Sequence, residues 1–294
     1  MAEAKARIAV IGGSGFYGME GIGEVEEVVL ETPFGPPSDS IVIGTIDGER
    51  VAFLPRHGRG HRLLPAEVPS RANIYALKLL GVEMVIGVSA VGSLHEDYAP
   101  LDLAVPDQLI DRTRGRPGTF FGGGLVAHIA FADPFCPSLR RALVAAARET
   151  GATVHDGGTY VVIEGPSFST RAESQLYRSW GAHLIGMTAL PEARLAREAE
   201  MCYATLAIVT DYDVWHPREA DVTAEMVIAN LARGVELARR TVRGAVRSLP
   251  RERACPCASA LRDALITPFH LVPAETKERL RPIIGKYLEA GGGD

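Results

Sequence analysis

The chain has 294 residues, 47% of them hydrophobic, which is enough apolar surface for one large core or two small ones. A formal net charge of -5 offers no basic excess for a phosphate backbone, so nucleic acid is excluded as a natural partner and small molecules are favoured. The N-terminal stretch MAEAKARIAVIGG meets glycine too soon to be a signal-peptide core, and no run of about 20 apolar residues occurs, so a cytoplasmic chain without a membrane span is expected.

Residues 7–11, Arg-Ile-Ala-Val-Ile, form a β-branched run that ends in Gly12-Gly13 and predicts a buried strand entering a tight loop. Similar runs predict strands at 41–46, 51–54, 84–88, 103–105, 159–163, 184–187 and 204–209. Helical spacing covers 71–80, 138–149, 171–180, 193–201 and 224–247. Alternating strands and helices predict an α/β layered fold, read as one domain over 1–294. No internal repeat is visible. A polar stretch after Ser248 marks off residues 248–294 as a helical C-terminal extension.

Gly13-Ser14-Gly15-Phe16-Tyr17-Gly18 matches G-x-G-x-x-G behind a strand. A dinucleotide site requires a helix to start inside that loop, yet Gly21 and Gly23 follow and no apolar stripe develops, which speaks against a dehydrogenase. The loop can still wrap its amides and the Ser14 hydroxyl around a single anion, or be a plain tight turn. Next, Arg56-His57-Gly58-Arg59-Gly60-His61 sets two guanidinium groups and two imidazoles in a glycine-broken loop, either an anion site or a solvated basic loop. Ser89-Ala90-Val91-Gly92-Ser93 ends another strand in small residues that let a ligand approach the backbone. Asp211 and Asp213 close a third strand with both carboxylates on one side, where a shared proton or strong demand for donors competes with simple helix capping. The four cysteines are scattered, and Cys255-Pro256-Cys257 is closer than a C-x-x-C half-site with no second pair nearby in sequence, so no metal is expected.

Taken in order, IGGSGFY, ETPFGPPS, RHGRGH, RANIYALK, SAVGSL, DQLIDRT, DPFCP, IEGPSFSTRAES, GMTALPEA and TDYDVW resemble the trimeric purine nucleoside phosphorylases, specifically the methylthioadenosine phosphorylases, over residues 7–247. The resemblance implies the nucleoside phosphorylase fold, a twisted mixed sheet flanked by helices, and reversible phosphorolysis of 5'-methylthioadenosine to adenine and 5-methylthioribose 1-phosphate. It implies that Ser14, Arg56, His57, Ser89, Ala90 and Thr188 bind phosphate. Met187 would lie under the ribose, with Val91, Phe168 and Ser169 around the base. His61, and His128 from a neighbouring subunit, would approach the 5' side of the sugar. Asp211 and Asp213 match carboxylates that contact N7 and the 6-amino group, where relatives specific for 6-oxopurines carry asparagine. Adenine-type bases are therefore expected, because a carboxylate facing O6 repels it.

On this reading Asp211 is the general acid to N7, Asp213 sets its proton affinity, and phosphate held by Arg56 and His57 is both nucleophile and counter-charge for the cationic sugar. No metal or organic cofactor is required, since phosphate is a co-substrate. Ser14 and Ser89 stand where threonine is common and keep the hydroxyl. Ala224 replaces a larger aliphatic side chain near the 5' substituent, which implies a roomier pocket that also accepts adenosine. The tail with Cys255 and Cys257 resembles that of thermophilic archaeal members, which implies disulfides Cys136–Cys202 and Cys255–Cys257, with four reduced thiols as the alternative. The family implies a trimer, and the extension a dimer of trimers. The rival readings are a broad-specificity purine nucleoside phosphorylase and a non-catalytic nucleotide-binding protein.

Overall fold

The computed structural model describes residues 5–13 and 22–290, so Ser14 and the rest of its glycine loop lie outside the described residues. Among the described residues, eleven strands form one mixed sheet. They are β1 (Ile8–Gly12), β2 (Gly23–Val28), β3 (Ile41–Ile46), β4 (Glu49–Pro55), β5 (Met84–Ser93), β6 (Leu103–Val105), β7 (Gln108–Arg112), β8 (Val154–Asp156), β9 (Thr159–Ile163), β10 (Leu184–Gly186) and β11 (Cys202–Asp211). The helices are α1 (Ser70–Leu79), α2 (Pro137–Glu149), α3 (Arg171–Ser179), α4 (Ala189–Glu198), α5 (Ala224–Ser248) and α6 (Ala274–Ala290). Among the described residues, no helix is long and apolar enough to cross a membrane.

The sheet is organised on β5. One of its edges pairs in parallel with β1 from Met84 to Gly87 and then antiparallel with β10 at Gly92 and Ser93. The other edge pairs in parallel with β11, from Met84 opposite Cys202 to Gly92 opposite Asp211. β5 continues beyond the predicted 84–88 because Ser89, Ala90 and Gly92 are small enough for the strand to run between two neighbours. At Gly87 and Gly92 any side chain would force a neighbour to shift. A Cβ at Gly87 would stand 2.4 Å from the Tyr203 hydroxyl oxygen, and one at Gly92 would stand 2.8 Å from Asp211 Oδ1.

Three strands escape the periodicity reading. β2, Gly-Glu-Val-Glu-Glu-Val, is largely solvent-facing and ends the sheet, and its glutamates hide the alternation. β7 ends the opposite side, while β8 has only three residues. Helix α4 begins earlier than the predicted 193 and stops at Glu198, since Glu200 adopts a left-handed φ of 55° that turns the chain into β11.

Apolar layers cover both faces. One joins α1 and α4 to the sheet and includes Leu261, Leu280, Ile283 and Ile284 of the extension; the other lies under α2 and α5. α6 is fastened to α1 by the Tyr75 hydroxyl, which donates to Arg279 O at 2.7 Å, so the extension completes the core. The strand ends of β1, β4, β5, β10 and β11 are thereby gathered at one rim, the usual place for ligands in α/β sheets.

Candidate active site

At the end of β4, Arg56 is only 3% exposed, and its backbone N–H donates to Gly12 O of β1 at 2.9 Å. The guanidinium fork, which the sequence assigns to an anion, is engaged bidentately by Glu192, with Nε to Oε1 at 2.6 Å and Nη2 to Oε2 at 3.1 Å. Nη1 donates to Val88 O at 2.8 Å and Nη2 to Ile11 O at 3.1 Å. Five N–H donors thus meet four acceptors among the described residues, which leave one Nη1 proton for a ligand. Burial works against the charge of Arg56, but Glu192 outweighs it and holds the guanidinium firmly protonated. Tyr203 completes the group by donating to Glu192 Oε2 at 2.9 Å. Glu192 sits within the GMTALPEA segment, yet nothing in that segment marks it as the partner of an arginine 136 residues away.

His57 follows in a turn where Gly58 and Gly60 adopt φ of 70° and 80°. Its Nδ1–H donates to Leu63 O at 2.9 Å, which fixes the tautomer and leaves Nε2 as an acceptor. Burial and then the neighbouring Arg56 charge lower its pKa to about 4, so the imidazole is neutral at pH 7. His61 stacks on it at 4.4 Å but is itself exposed. Arg59 turns away to Glu27 and Asp39. Only the first two residues of the basic motif therefore face inward.

Ser89, buried on β5, shares a hydrogen bond with Thr188 across 2.7 Å, and Tyr160 reaches the same Thr188 Oγ1 at 3.3 Å. Ala90 is half-buried beside them. Arg56, His57, Met187, Thr188 and Glu192 line one cleft together with Arg116. Sequence reasoning misses Arg116, which donates to Met187 O at 2.7 Å and Leu190 O at 3.0 Å and pairs with Glu164 at 3.1 Å. It holds the turn that presents Met187, whose sulfur packs on Gly165.

The acidic pair lies farther along β5. Thr210 Oγ1 bridges Val91 O at 3.1 Å and Asp211 Oδ2 at 2.7 Å, while the Asp213 N–H donates to Asp211 Oδ1 at 2.8 Å. The left-handed φ of 51° at Asp213 turns its side chain back beside Asp211. Asp211 and Asp213 are 3% and 4% exposed. Burial raises the pKa of Asp211. Burial, with the nearby Asp211 charge opposing ionisation, raises that of Asp213 to about 6, against the lowering influence of the surrounding donors. Asp213 Oδ2, Ser169 Oγ and Ser174 Oγ are buried without a hydrogen-bond partner of normal geometry among the described residues. The loop is anchored by Trp215 Nε1 donating to Ser93 O at 2.7 Å and by Asn230 Nδ2 donating to Thr210 O at 2.7 Å, two supports that sequence alone does not reveal.

Both halves of the site therefore hang on β5. Arg56 bonds to Val88 O and Asp211 packs against Gly92, four residues on, a separation of ~13 Å along an extended chain. Val91 is buried between them. Phe168 is exposed at the rim, ahead of α3, whose Thr170 and Glu173 form a capping box. Ala224 is an exposed first residue of α5. His128 is exposed outside the cleft, its backbone N–H donating to Ala264 O at 2.8 Å in the extension. The two disulfides implied by the resemblance are not formed. All four cysteines are free, and their sulfurs converge on one another instead of pairing at bonding distance.

Comparison with known proteins gives a consistent picture. The family described as the phosphorylase superfamily matches residues 7–247. An S-methyl-5'-thioadenosine phosphorylase of Geobacter sulfurreducens is 60% identical over 282 residues, which cover 96% of this chain and 99% of that protein. The crystal structure of a methylthioadenosine phosphorylase sourced from an Antarctic soil metagenomic library is 51% identical with a TM-score of 0.91, over 96% of this chain and 99% of that one. A methylthioadenosine phosphorylase from Schistosoma mansoni, solved in complex with adenine, is 38% identical with a TM-score of 0.81, over 85% of this chain and 93% of that one.

Proposed function

This chain belongs to the phosphorylase superfamily, and from that premise we propose that it catalyses the reversible phosphorolysis of 5'-methylthioadenosine to adenine and 5-methylthioribose 1-phosphate, and that it also accepts adenosine. The observation that carries the reading is the arrangement on β5: a cleft with Arg56 bonded to Val88 O and Thr188 bonded to Ser89, and a buried carboxyl pair at Gly92.

Phosphate sits in the cleft against the free Nη1 proton of Arg56, His57, the hydroxyls of Ser89 and Thr188 and the backbone of Ala90, with Ser14 completing the shell. Neutral His57 presents its Nε2 lone pair, so it accepts a hydrogen bond from the P–OH of monohydrogen phosphate and orients the anionic oxygens toward the sugar. The sugar lies over Met187 with its 5' substituent toward His61 and Ala224, and His128 reaches it from a second copy in a trimer or a dimer of trimers.

The base occupies the space beside Val91, Phe168 and Ser169. As the N-glycosidic bond breaks, electrons enter the purine and positive charge develops on the ribosyl carbon and ring oxygen. Asp211, whose buried carboxyl retains a proton more readily than an exposed one, passes it to N7, so adenine departs neutral. Asp213 turns its Oδ2, which lacks a hydrogen-bond partner of normal geometry among the described residues, to the 6-amino group, a donor that adenine has and a 6-oxopurine lacks. Phosphate then bonds to the anomeric carbon. No step requires a metal or an organic cofactor.

The test is release of the free base, adenine from methylthioadenosine and adenosine and hypoxanthine from inosine, each with and without inorganic phosphate. Phosphate-dependent release from the first two and slow turnover of inosine are expected. Adenine release at the same rate without phosphate would remove the proposed nucleophile, and equal turnover of inosine would remove the role given to the carboxyl pair.

A further inference from the structure

The four cysteines arrive from three distant parts of the chain. Cys136 directly precedes α2, Cys202 opens β11, and Cys255 and Cys257 flank Pro256 in the C-terminal extension. Their four Sγ atoms nevertheless lie within 4.8 Å of one another. Cys136, Cys202 and Cys257 are buried and Cys255 is half-buried, all inside the apolar layer beneath α2 and α5. Apolar packing buries thiols readily but does not require four sulfurs to point at a common centre.

The spacing distinguishes the ways such a cluster can be used. A disulfide needs sulfurs about 2.05 Å apart, whereas Cys202 Sγ and Cys255 Sγ are 3.3 Å apart. Four thiolates around a zinc ion, each at about 2.3 Å, stand roughly 3.8 Å from one another in a tetrahedron. The 3.3 Å separation and the 4.8 Å limit that contains all the others are compatible with that value after small side-chain adjustments. Two cysteines separated by a single proline are badly placed to bond to each other, yet they can grip one ion from adjacent positions. The N-terminus of α2 directs its positive end at Cys136 and so offsets part of the negative charge of a tetrathiolate.

We infer that Cys136, Cys202, Cys255 and Cys257 form a tetrathiolate site for one Zn²⁺ per chain, which clamps the C-terminal extension to the body of the sheet. Binding converts four thiols to thiolates and releases their protons to solvent, with no change of oxidation state. The site is separate from the cleft, and this inference does not depend on the reaction proposed above.

The experiment is metal analysis of the full-length protein expressed with zinc in the medium and purified without chelator. One zinc per chain is expected, together with four titratable thiols after denaturation in chelator and progressive zinc release as an organomercurial titrates those thiols. Cys255→Ser and Cys257→Ser are each expected to lose the zinc while eluting at the wild-type size. Replacement of zinc by Co²⁺ should give the visible spectrum of a tetrahedral cobalt thiolate. Stripping the zinc should speed proteolytic cleavage after Leu249. Zinc-free wild-type protein, whether its chain mass shows two disulfides or its thiols are free, overturns the assignment. So does retention of full zinc by both serine variants, and an unchanged cleavage rate in stripped protein overturns the clamp.

Discussion

Replacing Asp213 by asparagine tests whether the acidic pair is held at a cost in stability. The Asp213 carboxyl titrates at about 6 in the folded chain, chiefly through burial, against about 3.9 in an unfolded one. The folded state therefore binds this proton more tightly. Below pH 4 the carboxyl is neutral in both states and imposes no penalty; as pH rises through 6 the folded state must ionise it in a buried site. Each pH unit across that interval is worth ~1.4 kcal/mol, so the penalty reaches about 3 kcal/mol by pH 7–8 and is constant above. The amide that replaces the carboxyl does not titrate. Urea unfolding of wild type and Asp213→Asn between pH 4 and pH 8 should show the variant gaining up to about 3 kcal/mol on the wild type, with nearly all the gain between pH 4 and 6. Parallel stability curves for the two proteins would refute the burial argument, and a gain that appears only above pH 7 would place the titration on another group.

The same variant should gain turnover of inosine relative to methylthioadenosine, because an amide can donate to O6 where a carboxylate cannot; an unchanged ratio in the adenine and hypoxanthine release assays would place base selection elsewhere. Asp211→Asn should lower kcat for methylthioadenosine by about 10²-fold or more, the range for a lost general acid, and unaltered steady-state kinetics would remove it from that role. Glu192→Ala strands the buried Arg56 charge and should cost ~3–5 kcal/mol in denaturant unfolding, with a loss below about 1 kcal/mol showing that Arg56 is held otherwise. Gly92→Ala should push Asp211 aside and reduce kcat while the KM for phosphate stays near wild type, since the new methyl meets Asp211 Oδ1 at 2.8 Å and the phosphate cleft lies farther back along β5. A raised phosphate KM with normal kcat would contradict that placement.

Much of this molecule is readable in its sequence because the strands that build the site are buried on both faces. β1, β3, β5, β9 and β11 are largely apolar runs, and the functional segments follow or end β1, β4, β5, β10 and β11. The strands that periodicity misses lie where the sheet meets solvent: the glutamates of β2 and the Gln-Leu-Ile-Asp-Arg of β7 carry no alternation that it could detect. Within the site, motif reading finds the residues that end strands and misses those that hold them. Glu192, Arg116, Trp215 and Asn230 act across 122 residues in one case and 136 in another, and local spacing carries no information about such partners. The cysteines show the same limit. Adjacent spacing argues against a metal half-site at Cys255 and Cys257, because the other two sulfurs arrive through the fold.

A site strung along one buried strand has a fixed scale. The span from Val88 to Gly92 is set by peptide geometry and locked by neighbours on both edges, so the reach between anion and base cannot drift with loop motion. In the proposed site, changes at the exposed Phe168, His61 or Ala224 alter who enters without stretching the yardstick inside. Lineages carrying this architecture are therefore free to retune the sugar's 5' substituent by surface substitution, whereas a change of leaving group demands rewriting the interior.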